Sequence, residues 1–386
     1  MIEGGGKRED EGAEIRISWS RVCPSARRQK AIYGAIVGIA VGEALGLARQ
    51  GFSRRMGLWL FGRGPLRYQA APRMGVAGPR LHVTLTAGQA ILRSYQKQAV
   101  FLKHSQRRLR WYLVTNPLWL SPKLVLAGLR LFWPSSEEER GMPSLGTELL
   151  ARNLILSTAL QGTGVRADRW VEGLAKLSQR NAEVAEASTL IANAAHLASF
   201  CDPDSLDAIE IWHELASETT DHGLGTLMDQ MLPLLEQGCN VQAVAKKMGW
   251  GDGVPSHPYP VTLIAIYAWL RHPYRFRKAV EPAILLGGDT ASVGAIVGGL
   301  AGIHLSHHKI PPEWMKTLAC WPHDRDWMKH LSERLTDWPH GVEDLHHAPA
   351  LPSHIFFQLL RNLLLSILWM LHAVWRTPFR VWDRLF

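Results

Sequence analysis

Apolar residues recur three and four positions apart in 147–160 (TELLARNLILSTAL), 181–199 (NAEVAEASTLIANAAHLAS), 224–236 (LGTLMDQMLPLLE) and 261–271 (VTLIAIYAWLR). This is the period of a helix with one buried stripe. Alternating runs are scarce, so the pattern predicts an all-α fold. The stretch 51–80, GFSRRMGLWLFGRGPLRYQAAPRMGVAGPR, is rich in Gly, Pro and Arg and predicts loop. Two further segments are lined with small residues instead of a stripe. Gly34, Gly38 and Gly42 step by four through 31–46, and Gly294, Gly298 and Gly302 do so through 290–302. Glycine inside a helix costs about 1 kcal/mol relative to alanine, so six of them need a compensating reason. Close approach of helices supplies one. A membrane span is not the reading for the first run, because Arg27, Arg28 and Lys30 precede it and Glu43 closes it, leaving too short an apolar stretch.

Composition narrows this only modestly. With 386 residues, 47% of them hydrophobic, the chain can bury one large core or two ordinary ones. Its formal charge of +9 is unevenly placed: between Glu43 and Glu137 there is no Asp or Glu, while twelve Arg and Lys fall between Arg54 and Arg110. That span cannot supply carboxylates to a metal or a general base. It can attract anions, whether phosphates, nucleic acid or acidic lipid, or it is simply a solvated basic face. Cys23, Cys201, Cys239 and Cys320 form no C-x-x-C pair, which argues against a zinc site or disulfide framework and fits a reducing compartment. Residues 1–28 carry both charge signs and no apolar core segment, so they read as a mobile leader, not a secretory signal, and a cytoplasmic location is expected.

The densest chemistry lies in GGDTASVGAIVGGLAG, 287–302. Asp289 and Ser292 are oxygen ligands of the kind a hard cation takes, and Gly287 and Gly288 would let backbone approach an anion. Ala291 stands where a second carboxylate would complete such a site. Asp289 before a helix is equally a good N-cap, and Glu43 has the plainer role of pairing with an arginine. His304, His307 and His308, and likewise His346 and His347, lack the H-E-x-x-H spacing of a helical metal site. There is no G-x-S-x-G or P-loop.

GAIVGIAVGEALG at 34–46 resembles the opening helix of the ADP-ribosylglycohydrolase family, which includes dinitrogenase reductase-activating glycohydrolases, and 287–302 resembles that family's closing GGDTDT-and-glycine helix. The likeness extends through 251–286 and IPPEWMKTL at 310–318. It implies an all-α, orthogonally packed globule over 29–345, with two magnesium ions orienting ribose hydroxyls and water for hydrolysis. Carried over by position, the early TDDT motif falls on Val83-Thr84-Leu85-Thr86, leaving Thr86 as a metal ligand with Asp289 and Ser292. Glu43 and Asp289 become the catalytic acids, Gln50 replaces a glutamate, and a G-N-G-x-x-M-R segment aligns with Gly146–Arg152. Gly146, Gly287 and Gly288 then take the ligand, and a Thr-His pair becomes Ser178-Gln179. With so few carboxylates, magnesium binding is expected to be weakened or lost.

Beyond the resemblance lies an apolar tail, 346–386. Within 354–386, Gln358, Arg361, Asn362, Ser366, His372, Arg376, Arg380 and Arg384 mark one narrow polar stripe. Such a helix suits an anionic membrane interface, or else packs on protein, with Pro378 expected to kink or end it. Three readings follow. One is a scaffold or binding protein on a glycohydrolase fold, taking ADP-ribose or another phosphate ligand. Another is an active hydrolase with a rebuilt metal site. The third is a membrane-surface or nucleic-acid-associated protein using the basic span and the tail.

Overall fold

The computed structural model describes residues 17, 23–71, 74–94, 96–115, 122–133, 141–202, 204–338, 350–352 and 355–385. In chain order the helices are α1 Ser25–Gly46, α2 Arg54–Phe61, α3 Pro79–Leu92, α4 Gln98–Thr115, α5 Pro122–Arg130 and α6 Arg152–Leu160. The middle third adds α7 Ala167–Lys176, α8 Ala182–Phe200, α9 Ala208–Ser217, α10 His222–Glu236, α11 Val241–Lys247 and α12 Pro258–Arg271. The last third holds α13 Phe276–Ile284, α14 Thr290–Leu305, α15 Pro312–Lys316, α16 Arg325–Asp337 and α17 Ile355–Leu385. Among the described residues the only sheet is a parallel pair of two-residue strands, β1 Gly75–Val76 and β2 Leu318–Ala319. The fold is all-α, as the periodicity predicts.

The two glycine-stepped segments pack on each other along their full length. A Cβ on Gly34, Gly38 or Gly42 would collide with the carbonyls of Gly302, Gly298 and Gly294, and the reverse holds for those three. The six glycines are therefore a matched zipper that lets α1 and α14 touch backbone to backbone. Around this pair the core is closed by α3, α6, α8, α12, α13 and α16, with Tyr267, Trp269 and Trp212 fully buried. The Tyr267 hydroxyl donates to the Leu234 and Cys239 carbonyls at 3.0 and 2.8 Å.

Three expectations shift. Within 51–80 the chain forms α2, capped by Ser53, whose Oγ accepts from the Met56 amide at 3.1 Å; the capping residue outweighs the nearby Gly and Arg. At the start of the chain, α1 begins at Ser25 and Arg28 is buried against the Leu335 carbonyl, so the last residues assigned to the leader belong to the core. Ile17 is also held, its amide donating to Glu214 at 2.7 Å. Residues 1–16, the 345/346 boundary, His346 and His347 lie outside the described residues. Finally, α17 runs through Pro378 to Leu385 without ending there.

Helix α17 lies on the globule polar side in. Arg361, Asn362 and Arg376 are buried, while most of its large apolar side chains face outward. The guanidinium of Arg361 donates to the Ala77 carbonyl at 2.8 Å, Asn362 to Thr115 at 2.9 Å, and Arg376 to the Gln50 carbonyl while resting on the Phe52 ring. At the far end Asp383 accepts from the Ser53 amide at 2.7 Å.

Candidate functional site

The site forms where the C-terminal half of α1, the start of α3 and the start of α14 meet. Asp289 precedes α14, its Oδ1 accepting from the Ser292 amide at 3.3 Å, and Thr290 donates to the Gly46 carbonyl at 2.7 Å, tying α14 to the end of α1. The preceding glycines, Gly287 and Gly288, have φ of 81° and 74° and lie hard against Arg54 and Val254 backbone. Only glycine tolerates both conditions. Their N–H groups donate to the Ile284 and Phe52 carbonyls at 3.2 and 2.7 Å. They are thus committed within the fold and do not form the anion cradle that the motif suggests.

Glu43, fully buried on α1, serves as the N-terminal cap of α3. Its carboxylate accepts from the amides of Gly78, Arg80 and Leu81 at 3.1, 2.9 and 3.0 Å. A carboxylate against unpaired helix-start amides is a favourable arrangement on both hydrogen-bonding and dipole grounds. It also explains Gly78, where a Cβ would strike that carboxylate.

Between the two acids lies the guanidinium of Arg80, itself buried. It donates to Ser292 Oγ from Nε at 3.0 Å and from Nη2 at 2.7 Å. Its Nη1 is 3.5 Å from Glu43 Oε1 and its Nη2 3.5 Å from Asp289 Oδ1. Gln50 adds Nε2 to Asp289 Oδ1 at 2.9 Å and takes the Ala291 amide on its Oε1 at 2.8 Å. Thr147 donates to Asp289 Oδ2 and sits 3.0 Å from Ser292 Oγ. The result is a buried cluster in which both carboxylates and one hydroxyl converge on a fixed internal cation.

Glu43, Asp289 and Ser292 are therefore brought together, as the motifs predict; Thr86 is not. Its hydroxyl bonds back to the His82 carbonyl at 2.8 Å, and that of Thr84 to the Arg80 carbonyl at 2.8 Å. Both lie in the body of α3, whereas the residues at its N-terminus, Gly78 to Leu81, are the ones that face the acids. The residues that meet the acids thus lie about one helical turn before Val83–Thr86. Gly146 lies beside the cluster through its neighbour Thr147, and its carbonyl accepts from Gln179 at 2.8 Å. Arg152 is committed elsewhere, donating to the Leu174 carbonyl at 2.8 Å and to Ser178 at 3.3 Å. The sequence reading missed Arg80 and Thr147 as members of the cluster. Pro79 marks a helix start beside Arg80, but nothing in the sequence indicates which way that side chain turns.

The donor set does not fit magnesium. A magnesium ion needs several oxygen acceptors in octahedral array, yet Glu43 is occupied by three amides, and Asp289 by Gln50, Thr147, Arg80 and the Ser292 amide. No group of three or more His, Cys, Asp or Glu side chains able to hold a metal occurs among the described residues.

An all-α globule whose opening and closing glycine helices carry an acidic cluster between them is the architecture of a glycohydrolase fold. Residues 24–343 match the sequence profile of ADP-ribosylglycohydrolase, and the chain belongs to that family. Its members are metal-dependent. Among solved structures it is similar to an "ADP-ribosylglycohydrolase-related protein complex", with TM-score 0.59 and 20% identity over 81% of this chain and 99% of that one; this likeness is one of fold. No curated protein matches the chain. Helix α17 lies wholly beyond the family match.

Proposed function

We propose that this chain is an ADP-ribosylglycohydrolase-fold protein in which metal-assisted hydrolysis has been given up, leaving a scaffold or binding role toward an ADP-ribosyl or related phosphate ligand. The observation that carries this reading is Arg80, whose guanidinium sits among Glu43, Asp289 and Ser292 where hydrolysis on this fold calls for divalent ions. A covalently attached cation neutralises the acids, its desolvation being met once on folding, and occupies the position that water or ribose hydroxyls would need. Metal catalysis needs such an open position to activate water and orient the substrate. The acid-free basic span supports the phosphate-ligand half of the reading.

The alternative, an active metal-dependent hydrolase, draws on the convergence of Glu43, Asp289 and Ser292 themselves. One assay separates the two. An ADP-ribosylated peptide incubated with the protein is expected to release no ADP-ribose with or without magnesium, and calorimetry with ADP-ribose is expected to give the same heat in both conditions. Magnesium-requiring hydrolysis that disappears in Asp289→Ala would overturn the scaffold reading, and no heat in either condition would remove the ligand.

A further inference from the structure

Helix α17 carries thirteen large apolar side chains that are more than a third exposed, among them Phe356 at 65%, Leu363 at 58%, Leu371 at 62% and Val374 at 70%. Soluble surfaces rarely leave so continuous an apolar strip uncovered. Its window Phe356–Phe379 has a mean hydropathy of 1.4. The helix cannot cross a bilayer while docked, because Arg361 and Arg376 are held on the Ala77 and Gln50 carbonyls. It can lie in the plane of one. Exposed tryptophans edge the strip at both ends: Trp321 packs on Phe357, and Trp59 on Phe379. Tryptophan at the margin of an apolar face is the preference of a membrane interface.

The second observation is a cavity of about 310 Å³ against the N-terminal half of this helix, walled by Gln358, Leu359 and Asn362 on one side. Arg93, Arg107, Arg108 and His104 line it too, and no acidic side chain is among its lining residues within the described part of the chain. Two further lining groups, His82 Nε2 and His323 Nδ1, are buried without a hydrogen-bond partner. Three guanidiniums sharing one recess repel one another, so an anion placed there relieves the repulsion and takes up the orphaned ring nitrogens. The same positive charge disfavours a second copy of the chain on this face, since pairing would bring two basic rims together.

We propose that the protein docks peripherally on anionic phospholipid membranes, with α17 lying in the interface, apolar face toward the acyl chains, and the Arg93–Arg107–Arg108 recess receiving a phosphate-bearing headgroup. This inverts the usual arrangement of an amphipathic helix, since the polar stripe is turned to the globule and headgroup contact comes from α3 and α4. The proposal is independent of whether the acidic cluster is catalytic.

Flotation of the full chain tests it, using vesicles of phosphatidylcholine alone and of phosphatidylcholine mixed with phosphatidylserine. The protein is expected to float with the mixed vesicles and to partition about tenfold less onto the neutral ones. The triple variant Leu363→Asp, Leu371→Asp, Val374→Asp, confined to exposed positions, is expected to lose flotation on both while keeping its helical circular dichroism. Arg93→Glu with Arg107→Glu is expected to abolish the preference for anionic vesicles. Failure to float, flotation unchanged in the triple variant, or a dimer by light scattering that dissociates in the triple variant without any vesicle binding would each overturn the proposal. Binding of inorganic phosphate without flotation would overturn it as well.

Discussion

Removing the internal cation gives the sharpest test of how the acidic cluster is held. In Arg80→Ala two hydrogen bonds to Ser292 disappear, at 3.0 and 2.7 Å, together with charge contacts of 3.5 Å to Glu43 and to Asp289. Removing one partner of a buried ion pair costs about 3–5 kcal/mol. Here both acids keep other donors: Glu43 retains three backbone amides, while Asp289 retains Gln50, Thr147 and the Ser292 amide. The loss is therefore expected at the lower end, about 3 kcal/mol, read from urea unfolding monitored by circular dichroism. A second arm adds magnesium. With the guanidinium gone, both carboxylates lose their nearest counter-charge, and a divalent ion at ten times its dissociation constant would restore about 1.4 kcal/mol. The wild-type midpoint is expected to be unmoved by the same addition. A loss below about 1 kcal/mol, or equal stabilisation of both proteins by magnesium, would refute the claim that Arg80 stands in for the cation.

Three further outcomes follow from the packing and the buried titrating groups. Gly38→Ala places a methyl inside the Gly298 carbonyl at the zipper and is expected to cost more than about 3 kcal/mol, or to abolish soluble expression, since overpacking is worst where both sides are backbone. Burial pushes His304 and His323 down to about 4, so both stay neutral in the fold while the unfolded chain protonates them near 6.5. Their stabilisation is full above pH 6.5 and is lost as pH falls from there toward 4. Between pH 7 and pH 5 each is expected to remove about 2 kcal/mol, and His304→Phe is expected to flatten that dependence in denaturant titrations. Tyr267→Phe leaves the Leu234 and Cys239 carbonyls without their shared donor and is expected to lower stability by about 1–2 kcal/mol in thermal unfolding.

What was legible in the chain followed from periodicity and from glycine. The helices over 181–199, 224–236 and 261–271 appear as α8, α10 and α12 within three residues at each end, because a buried stripe is a local pattern. The glycine steps announced a close helix approach, though not which helices would meet, since a matched zipper is a property of two segments read together. Asp289, Ser292 and Glu43 were legible as site residues because they flank those glycines. Arg80 was not: nothing in a basic residue twelve positions before Leu92 indicates that its side chain turns inward to a carboxylate more than two hundred residues away. Aligning the acidic motif by residue type drew attention to Thr86, a threonine that only satisfies its own helix. The orientation of α17 was ambiguous for a related reason. A narrow polar stripe marks one face, but only the carbonyls of Gln50, Ala77 and Gly78 decide whether that face meets water or protein.

The same stripe bears on the chemistry of the cluster. Arg361 sits on the Ala77 and Gly78 carbonyls, one residue or less from the amide that holds Glu43, and the Glu43 charge raises its affinity for a proton against the effect of burial. Arg376 sits on the carbonyl of Gln50, whose side chain holds Asp289. Arg80, Arg361 and Arg376, all buried, thus lie on or beside the segments that hold the two carboxylates, so the neighbourhood carries positive charge on more than one side. A divalent cation entering it would meet repulsion from groups outside the cluster as well as within it. Removing Arg80 alone leaves two of the three in place, which is why magnesium is expected to rescue that variant only at high concentration. On the proposed reading the exclusion of a metal is in this sense shared: Arg80 lies between the two acids, and the appended helix adds positive charge beside them.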